Sequence, residues 1–329
     1  MSTDRLGFAL ASGLTLPAEG RVVLFGPPGD APLPDLAPER LQVVQRFRPD
    51  FDAWEARGIE TVTAPEAACS AAIVTLPRAR DLAEARIAEA CAAAPGGLVV
   101  VDGAKTDGMD AMIKALRARV ELLGQVSKAH GKVVWFNADT ALARDWARTP
   151  TRNVEGAWTA PGVFSAEGVD PASELLVRNL PLLAGPVADL GAGWGWMSRA
   201  ILRTPHVTKL YVVEADLAAL DCARLNIDTP KASFHWADAT RWEPPSPVSA
   251  VVMNPPFHQG RRADPALGQA FIAAAARMLD PRGALWMVAN RHLPYEGALA
   301  ASFRDVTELE GGTSRFKLFH AARPSRNRR

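Results

Sequence analysis

Cysteine is scarce: the 329 residues hold three, Cys69, Cys91 and Cys222. They are far apart and each sits among aliphatic residues, which argues against a disulfide framework or a thiolate zinc site and reads them as packing residues. The six histidines show no His-x-x-x-His spacing, so no metal is expected. No run of about twenty apolar residues occurs, and no basic start, apolar core and cleavage site combine near the N-terminus. The expectation is a cytoplasmic protein with no membrane partner. An excess of one charge is also lacking, with 37 Lys and Arg against 36 Asp and Glu for a net charge of +1. That balance decides nothing about nucleic acid, because phosphate binding depends on where positive charge lies. Two local clusters exist: Arg261 with Arg262, and a tail containing Arg323, Arg326, Arg328 and Arg329. Such a tail reads either as a solvated end or as an arm for RNA phosphates.

What is present is α/β patterning, twice. From Arg21 to Gly131, short β-rich runs (Val22 to Phe25, Ile73-Val74, Leu98 to Val101) alternate with Ala- and Arg-rich helical stretches. Residues 140–160 carry mixed charge, Pro150 and isolated tryptophans without a clear period, and read as a connector. The alternation then restarts with a helix from about Asp170 to Leu180, a strand Val187 to Leu190, a helix to Arg203, a strand Lys209 to Glu214 and a helix Leu217 to Asn226. At this length two domains are expected, 1–150 and 151–329, the second ending in the basic tail. The halves resemble each other. Ala72 to Pro77 matches Ala250 to Pro255, and Ala94 to Val101 matches Asp280 to Met287, with eight more residues between the prolines in the second copy. A duplicated domain is the simplest account, and chance similarity of two strand-helix-strand units is the other.

The second half carries a glycine loop, Asp189-Leu-Gly191-Ala-Gly193-Trp-Gly195, after an apolar strand and before a helix. Glycines there allow a sharp turn and close ligand approach, and backbone N–H groups at the helix start point toward the ligand. A methionine carboxylate and a ribose fit such a floor, as in S-adenosylmethionine. Glu214 ends the next strand, 21 residues beyond Gly193, where a carboxylate can accept both ribose hydroxyl hydrogens. Asp238 lies where a third strand would end, placed to accept from an adenine amino group. The corresponding turn of the first half reads Phe25-Gly26-Pro27-Pro28-Gly29-Asp30. Prolines have no N–H to donate, so no cofactor is expected there.

Asn254-Pro255-Pro256-Phe257 follows the strand Ala250 to Met253 and so falls at the carboxyl edge of the sheet, where doubly wound folds do their chemistry. A conjugated amine nitrogen is planar because its lone pair is delocalised, and it must be bent toward tetrahedral geometry to accept a methyl group. The Asn254 side-chain oxygen and the Pro255 carbonyl can each accept one N–H and direct the remaining lone pair. Pro255 and Pro256 stiffen the loop, and Phe257 offers a flat face for an unstacked base. No strong base is needed, since the amine becomes acidic as the methyl arrives. His258 is a candidate proton acceptor, although a histidine beside such a loop is more often scaffold.

On these residues the chain resembles the bacterial ribosomal RNA guanine-N2 methyltransferases of the RsmC/RlmG type, with a "methyltransferase small" domain. The resemblance covers Pro161 to Ser165, Val169-Asp170, the glycine loop, Asn254 to Gly260, Val288 to Tyr295 and Arg315-Phe-Lys317. It implies two tandem Rossmann-like class I methyltransferase domains. The first would be degenerate and serve structure or RNA contact; the second would be catalytic and use S-adenosylmethionine. It implies that the segment of Phe164 helps enclose the cofactor, a core position being the other reading of that residue. It also implies methyl transfer to the N2 of a guanine in ribosomal RNA, with 16S RNA preferred, by a monomer working on ribosomal RNA or the small ribosomal subunit. Leu76 stands where the second copy has Asn254, which agrees with loss of activity in the first half. Methylation of a protein glutamine amide, whose carboxamide presents the same planar group, and a non-catalytic RNA-binding assembly factor are the alternatives.

Overall fold

In the computed structural model, which describes residues 4–65, 68–256, 258–259, 262–263 and 265–325, the chain divides into two units, Met1–Thr149 and Pro150–Arg329. Unit 1 runs α1 (Arg5–Leu10), β1 (Val22–Phe25), β2 (Leu41–Val44), α2 (Arg48–Ala56), β3 (Glu60–Val62), β4 (Ala71–Thr75), α3 (Arg80–Ala93), β5 (Leu98–Ala104), α4 (Met109–Arg117), β6 (Gly124–Lys128), β7 (Gly131–Asn137) and α5 (Thr140–Trp146). Its strands form one sheet in the order β3-β2-β1-β4-β5-β7-β6. All four residues of β1 are buried. Val23 and Phe25 pack into one core layer and Val22 and Leu24 into another. A parallel strand covered on both faces is apolar throughout, so the run Val22 to Phe25 shows no alternation.

Unit 2 opens with a short hairpin, β8 (Thr151–Arg152) and β9 (Trp158–Thr159), followed by α6 (Pro171–Arg178), β10 (Gly185–Leu190), α7 (Trp196–Ile201), β11 (Val207–Glu214), α8 (Leu217–Asn226), β12 (Ala232–Trp236) and β13 (Val248–Met253). It continues with β14 (His258–Gln259), β15 (Arg262–Ala263), α9 (Pro265–Met278), β16 (Leu279–Asn290), α10 (Glu296–Ser302), β17 (Phe303–Glu308) and β18 (Phe316–Pro324). The main sheet has the order β12-β11-β10-β13-β16-β18-β17. Numbered within each unit, both sheets read 3-2-1-4-5-7-6, and in both the seventh strand runs antiparallel to its neighbours. A shared order that includes the reversed strand favours duplication over chance.

Residues 140–160, expected as a connector, are shared between the units instead. Asp139 caps α5 by accepting from the Leu142 N–H at 2.6 Å, and Leu142 and Trp146, one turn apart, enter the core of unit 1. The hairpin belongs to unit 2: the Asn226 side chain accepts from the Trp158 N–H at 2.7 Å and donates to the Trp158 carbonyl at 2.8 Å. The flanking charges hid an ordinary capped helix.

The register corrects the sequence match between the halves by one residue. Phe25 pairs with Val44 and Val74, and Leu190 pairs with Val213 and Met253. Gly26 and Gly191 then donate their N–H groups to the carbonyls of Val44 and Val213, at 2.8 and 2.9 Å. Val74 therefore corresponds to Met253, Thr75 to Asn254 and Leu76 to Pro255. Burial agrees, since Leu76 and Pro255 are buried while Thr75 and Asn254 are partly exposed. A one-residue slip exchanges the faces of a strand, and an apolar run buried on both faces does not reveal it.

The three cysteines are buried. Arg261, Arg326, Arg328 and Arg329 lie outside the described residues. Arg323 is ion-paired with Asp305.

Candidate active site

Strands β10 and β13 lie side by side at the centre of the unit 2 sheet, with β11 and β12 beyond one and β16 beyond the other. The crevice outside their carboxyl ends is where an open α/β sheet receives ligands. The glycine loop leaves β10 there, and Asn254 leaves β13 beside it.

The three glycines meet different demands. Gly191, Gly193 and Gly195 have φ of +72°, +56° and +87°, a region that costs side-chain-bearing residues energy. A Cβ on Gly193 would meet nothing within 4 Å, whereas one on Gly195 would lie 2.9 Å from Ile227 Cδ1 and 3.1 Å from Ala223 Cβ on α8. Gly195 thus serves packing, and Gly193 leaves its space open to a cleft. That cleft is lined by Gly191 to Trp194, Phe164 and Asn254, among others.

Glu214 closes the loop from below, its two carboxylate oxygens accepting from the N–H groups of Gly193 at 2.7 Å and Asp216 at 2.8 Å. Burial raises its affinity for a proton, and these backbone donors work against that. A carboxylate has about four acceptor directions, so capacity remains for ribose hydroxyls. Asp238 lies two residues past the end of β12 and folds its Oδ1 back onto the N–H and hydroxyl of Thr240, at 2.8 and 2.7 Å. Asp189 does not line this cleft. It is fully buried, with Oδ2 accepting from the Ser198 hydroxyl at 2.7 Å. Burial pushes its carboxyl up to about 7, helped by the neighbouring Glu214 charge and opposed by Ser198.

Asn254 is held in one orientation. Its Nδ2 donates to Asp170 Oδ2 at 2.9 Å and to Ser173 Oγ at 3.0 Å. Asp170 is the N-cap of α6, with Pro171 at the first helical position, and the same Oδ2 accepts from the Ser173 N–H at 2.8 Å. An ionised carboxylate only accepts, so the reversed amide would set oxygen against oxygen. The network therefore leaves Asn254 Oδ1 as an acceptor with no donor among the described residues. Sequence reasoning missed the roles of Asp170 and Ser173, although Asp-Pro-x-Ser is a recognisable cap.

A second cleft lies on the other side of Asn254. Pro255, Asn290, Leu293, Tyr295, Arg315 and Phe316 help to line it, and it shares Phe164, Asp170 and Asn254 with the first. Phe164 is 60% exposed, so it is a wall of both clefts and not a core residue. Its neighbour Ser165 has φ of +53°, and the Ser165 carbonyl accepts from the indole N–H of Trp194 at 3.2 Å, tying that segment to the glycine loop. Buried Lys317 donates to the Leu293 carbonyl at 3.0 Å and is ion-paired with Glu296, which steadies the chain between them. Pro255 is buried and Pro256 exposed. Phe257 lies outside the described residues. His258 pairs its backbone with Ala263.

The matching region of unit 1 is closed. Gln45 holds the place of Glu214: its Oε1 accepts from the N–H groups of Arg46 and Phe47 at 2.8 and 3.0 Å, and its Nε2 donates to the Pro27 carbonyl at 2.8 Å. The acid has become an amide whose amino group is spent on the turn. Arg86 Nη1 donates to the Thr75 carbonyl at 2.9 Å and would lie 2.2 Å from a Cβ on Gly26. Charge, donors and space are all lost. The prolines gave the sequence signal for the donors; nothing in the helical pattern marked Arg86 as a plug.

The ribosomal RNA small subunit methyltransferase C of Shewanella oneidensis is 28% identical over 261 residues, 75% of each chain. That of Hahella chejuensis is 35% identical over 168 residues, 50% of this chain and 49% of the relative. Among solved structures, the Thermus thermophilus 16S rRNA N2 G1207 methyltransferase, RsmC, in complex with AdoMet and guanosine, shares the fold with a TM-score of 0.73 at 24% identity. The superposition covers 94% of this chain and 90% of that one, so the fold of two tandem seven-stranded α/β units is common to both. The family model for the methyltransferase small domain matches residues 156–320, nearly the whole of unit 2, and the chain belongs to that family.

Proposed function

We propose that the chain transfers a methyl group from S-adenosylmethionine to the N2 amine of a guanine in the RNA of the small ribosomal subunit. The observation that carries this reading is the wall shared by the two clefts, from which Asn254 presents a single acceptor oxygen. The relatives' names support ribosomal RNA as the substrate class.

The residues fit the cofactor. Gly193 leaves open space at the turn, Glu214 keeps acceptor capacity for ribose hydroxyls, and Asp238, just past β12, would accept from the adenine amino group. The cofactor supplies a methyl group activated by a sulfonium. The protein's own work is on the amine. Asn254 Oδ1 and the Pro255 carbonyl accept its two hydrogens, draw the nitrogen out of conjugation and aim its lone pair at the cofactor cleft. Asp170 and Ser173 keep the Asn254 oxygen from rotating away, so the acceptor is organised before the amine arrives. Phe164 walls both clefts. The amine gains acidity as it is alkylated, so its proton can pass to solvent without a dedicated base. Work on ribosomal RNA puts the protein in the cytoplasm under this reading.

The test is to incubate the full chain with methyl-labelled S-adenosylmethionine and unmodified 16S RNA, either free or as small subunits, and to identify the labelled nucleoside by mass spectrometry. The expected product is N2-methylguanosine at one position. Label on another base, or on a protein glutamine, would contradict the reading.

A further inference from the structure

Beyond the acceptor cleft the surface opens into a wide groove lined by Asn290, Arg291, His292, Ser314 and Arg315. Asn290 and Arg315 belong to both, so the groove begins where the cleft ends. Among the described residues its lining holds hydrogen-bond donors and cations and no carboxylate, which suits an anion.

The two arginines have different tasks. Arg291 is committed to the fold: Nε donates to the Thr313 carbonyl at 2.8 Å, Nη2 to the Phe316 carbonyl at 3.2 Å, and Nη1 to Glu308 at 3.0 Å. Its backbone N–H donates to the Arg315 carbonyl at 2.8 Å. Thr313 Oγ1 then accepts from the N–H groups of Arg315 and Phe316, at 3.2 and 3.1 Å. The turn that carries Arg315 is thus fixed from both sides. Arg315 itself is exposed, with its guanidinium 5.0 Å from the centre of the Phe316 ring. No carboxylate among the described residues is ion-paired with it. A turn fixed from both sides presents a cation with no carboxylate partner among the described residues, at the mouth of the acceptor cleft.

We infer that this groove holds a phosphodiester next to the guanine in the cleft, with Arg315 as the principal donor and Asn290, His292 and Ser314 around it. The inference rests on the proposed function, because a base seated between Asn254 and Phe316 must send its sugar and phosphate out past Asn290 and Arg315. An arginine fork matches phosphate oxygens in geometry as well as charge. Seating the backbone there positions the base without reading its identity.

The experiment measures affinity of the full chain for an unmodified single-stranded 16S fragment containing the guanosine that is to be methylated, across a salt series. Wild type is compared with Arg315→Gln, Arg315→Lys and Arg282→Gln, the last an exposed arginine toward the opposite end of β16. Arg315→Gln should weaken binding at low salt and flatten the log–log slope by about 0.7, the value for one phosphate contact on a single strand. Arg315→Lys and Arg282→Gln should keep the wild-type slope, and S-adenosylmethionine affinity should be the same in all four. An unchanged slope and affinity in Arg315→Gln, with wild type methylating the RNA, would overturn the phosphate site and leave the proposed function standing. A flattened slope with no guanine methylation by wild type would keep the site and overturn the function. An acidic peptide that binds at Arg315 while RNA does not bind would overturn both.

Discussion

Asp189 illustrates how a site residue acts from beneath its site. Its type and place at the end of β10 were readable from the sequence, but its direction was not, because a strand of mixed burial does not state which face a lone acid takes. The structure turns it into the core onto Ser198. Its folded pKa of about 7 stands above the ordinary 3.8, so the folded protein binds this proton more tightly than the unfolded chain. The stabilisation is complete below about pH 4 and is lost as pH rises through 7. From near pH 6 to near pH 8 wild type should lose on the order of 1 kcal/mol from this group, about one pKa unit of linkage. Asp189→Asn should remove that loss. Chemical denaturation at the two pH values checks it; superimposable pH dependences in wild type and variant would mean that Asp189 is ionised without cost. Asn254 was fully readable as a residue, whereas Asp170 and Ser173, more than eighty positions away, were not, since nothing local to either segment specifies their meeting.

Among the elements, the glycine loop was the most legible. Strand, turn and helix followed one another in the sequence, and β10, α7, β11 and α8 fell where the patterning put them. The register of β4 against β13 was not legible: apolar residues on both faces erase the period that would fix it, and only the pairing with β1 and β10 does so. The glycines also looked alike in sequence and differ in packing. Gly193→Val should place its branches in the cofactor cleft and weaken S-adenosylmethionine binding at least tenfold, while backbone strain costs about 1–2 kcal/mol. Gly195→Val should strike α8 and destabilise the fold by more, on the order of 2–4 kcal/mol. Calorimetric titration beside a melting curve separates the two. Wild-type cofactor affinity in folded Gly193→Val would place the cofactor elsewhere.

Across the whole molecule, the two units share one topology and differ in chemistry. Each has its own core layers on the two faces of its sheet, so unit 2 has what it needs to fold alone. With Gln45 in place of an acid and Arg86 against Gly26, unit 1 is left with surface roles, and RNA binding is the one we propose. A chain beginning at Pro150 should bind S-adenosylmethionine within about threefold of the full chain, since Gly191, Gly193, Glu214 and Asp238 all remain; a shift below about 1 kcal/mol is expected of an intact site. Its affinity for 16S RNA should fall and depend less steeply on salt, by about 0.7–0.9 slope unit for each phosphate that unit 1 had neutralised. Unchanged affinity and slope in the folded truncation would show that unit 1 touches no RNA.

The Asn254 oxygen is the centre of the proposed chemistry, and Asn254→Ala tests it most directly. Cofactor affinity by calorimetry should stay near wild type, while methyl transfer to 16S RNA should fall by about 10²–10³, the scale of removing one transition-state hydrogen bond. Near-normal turnover in a variant that still binds S-adenosylmethionine would contradict that role.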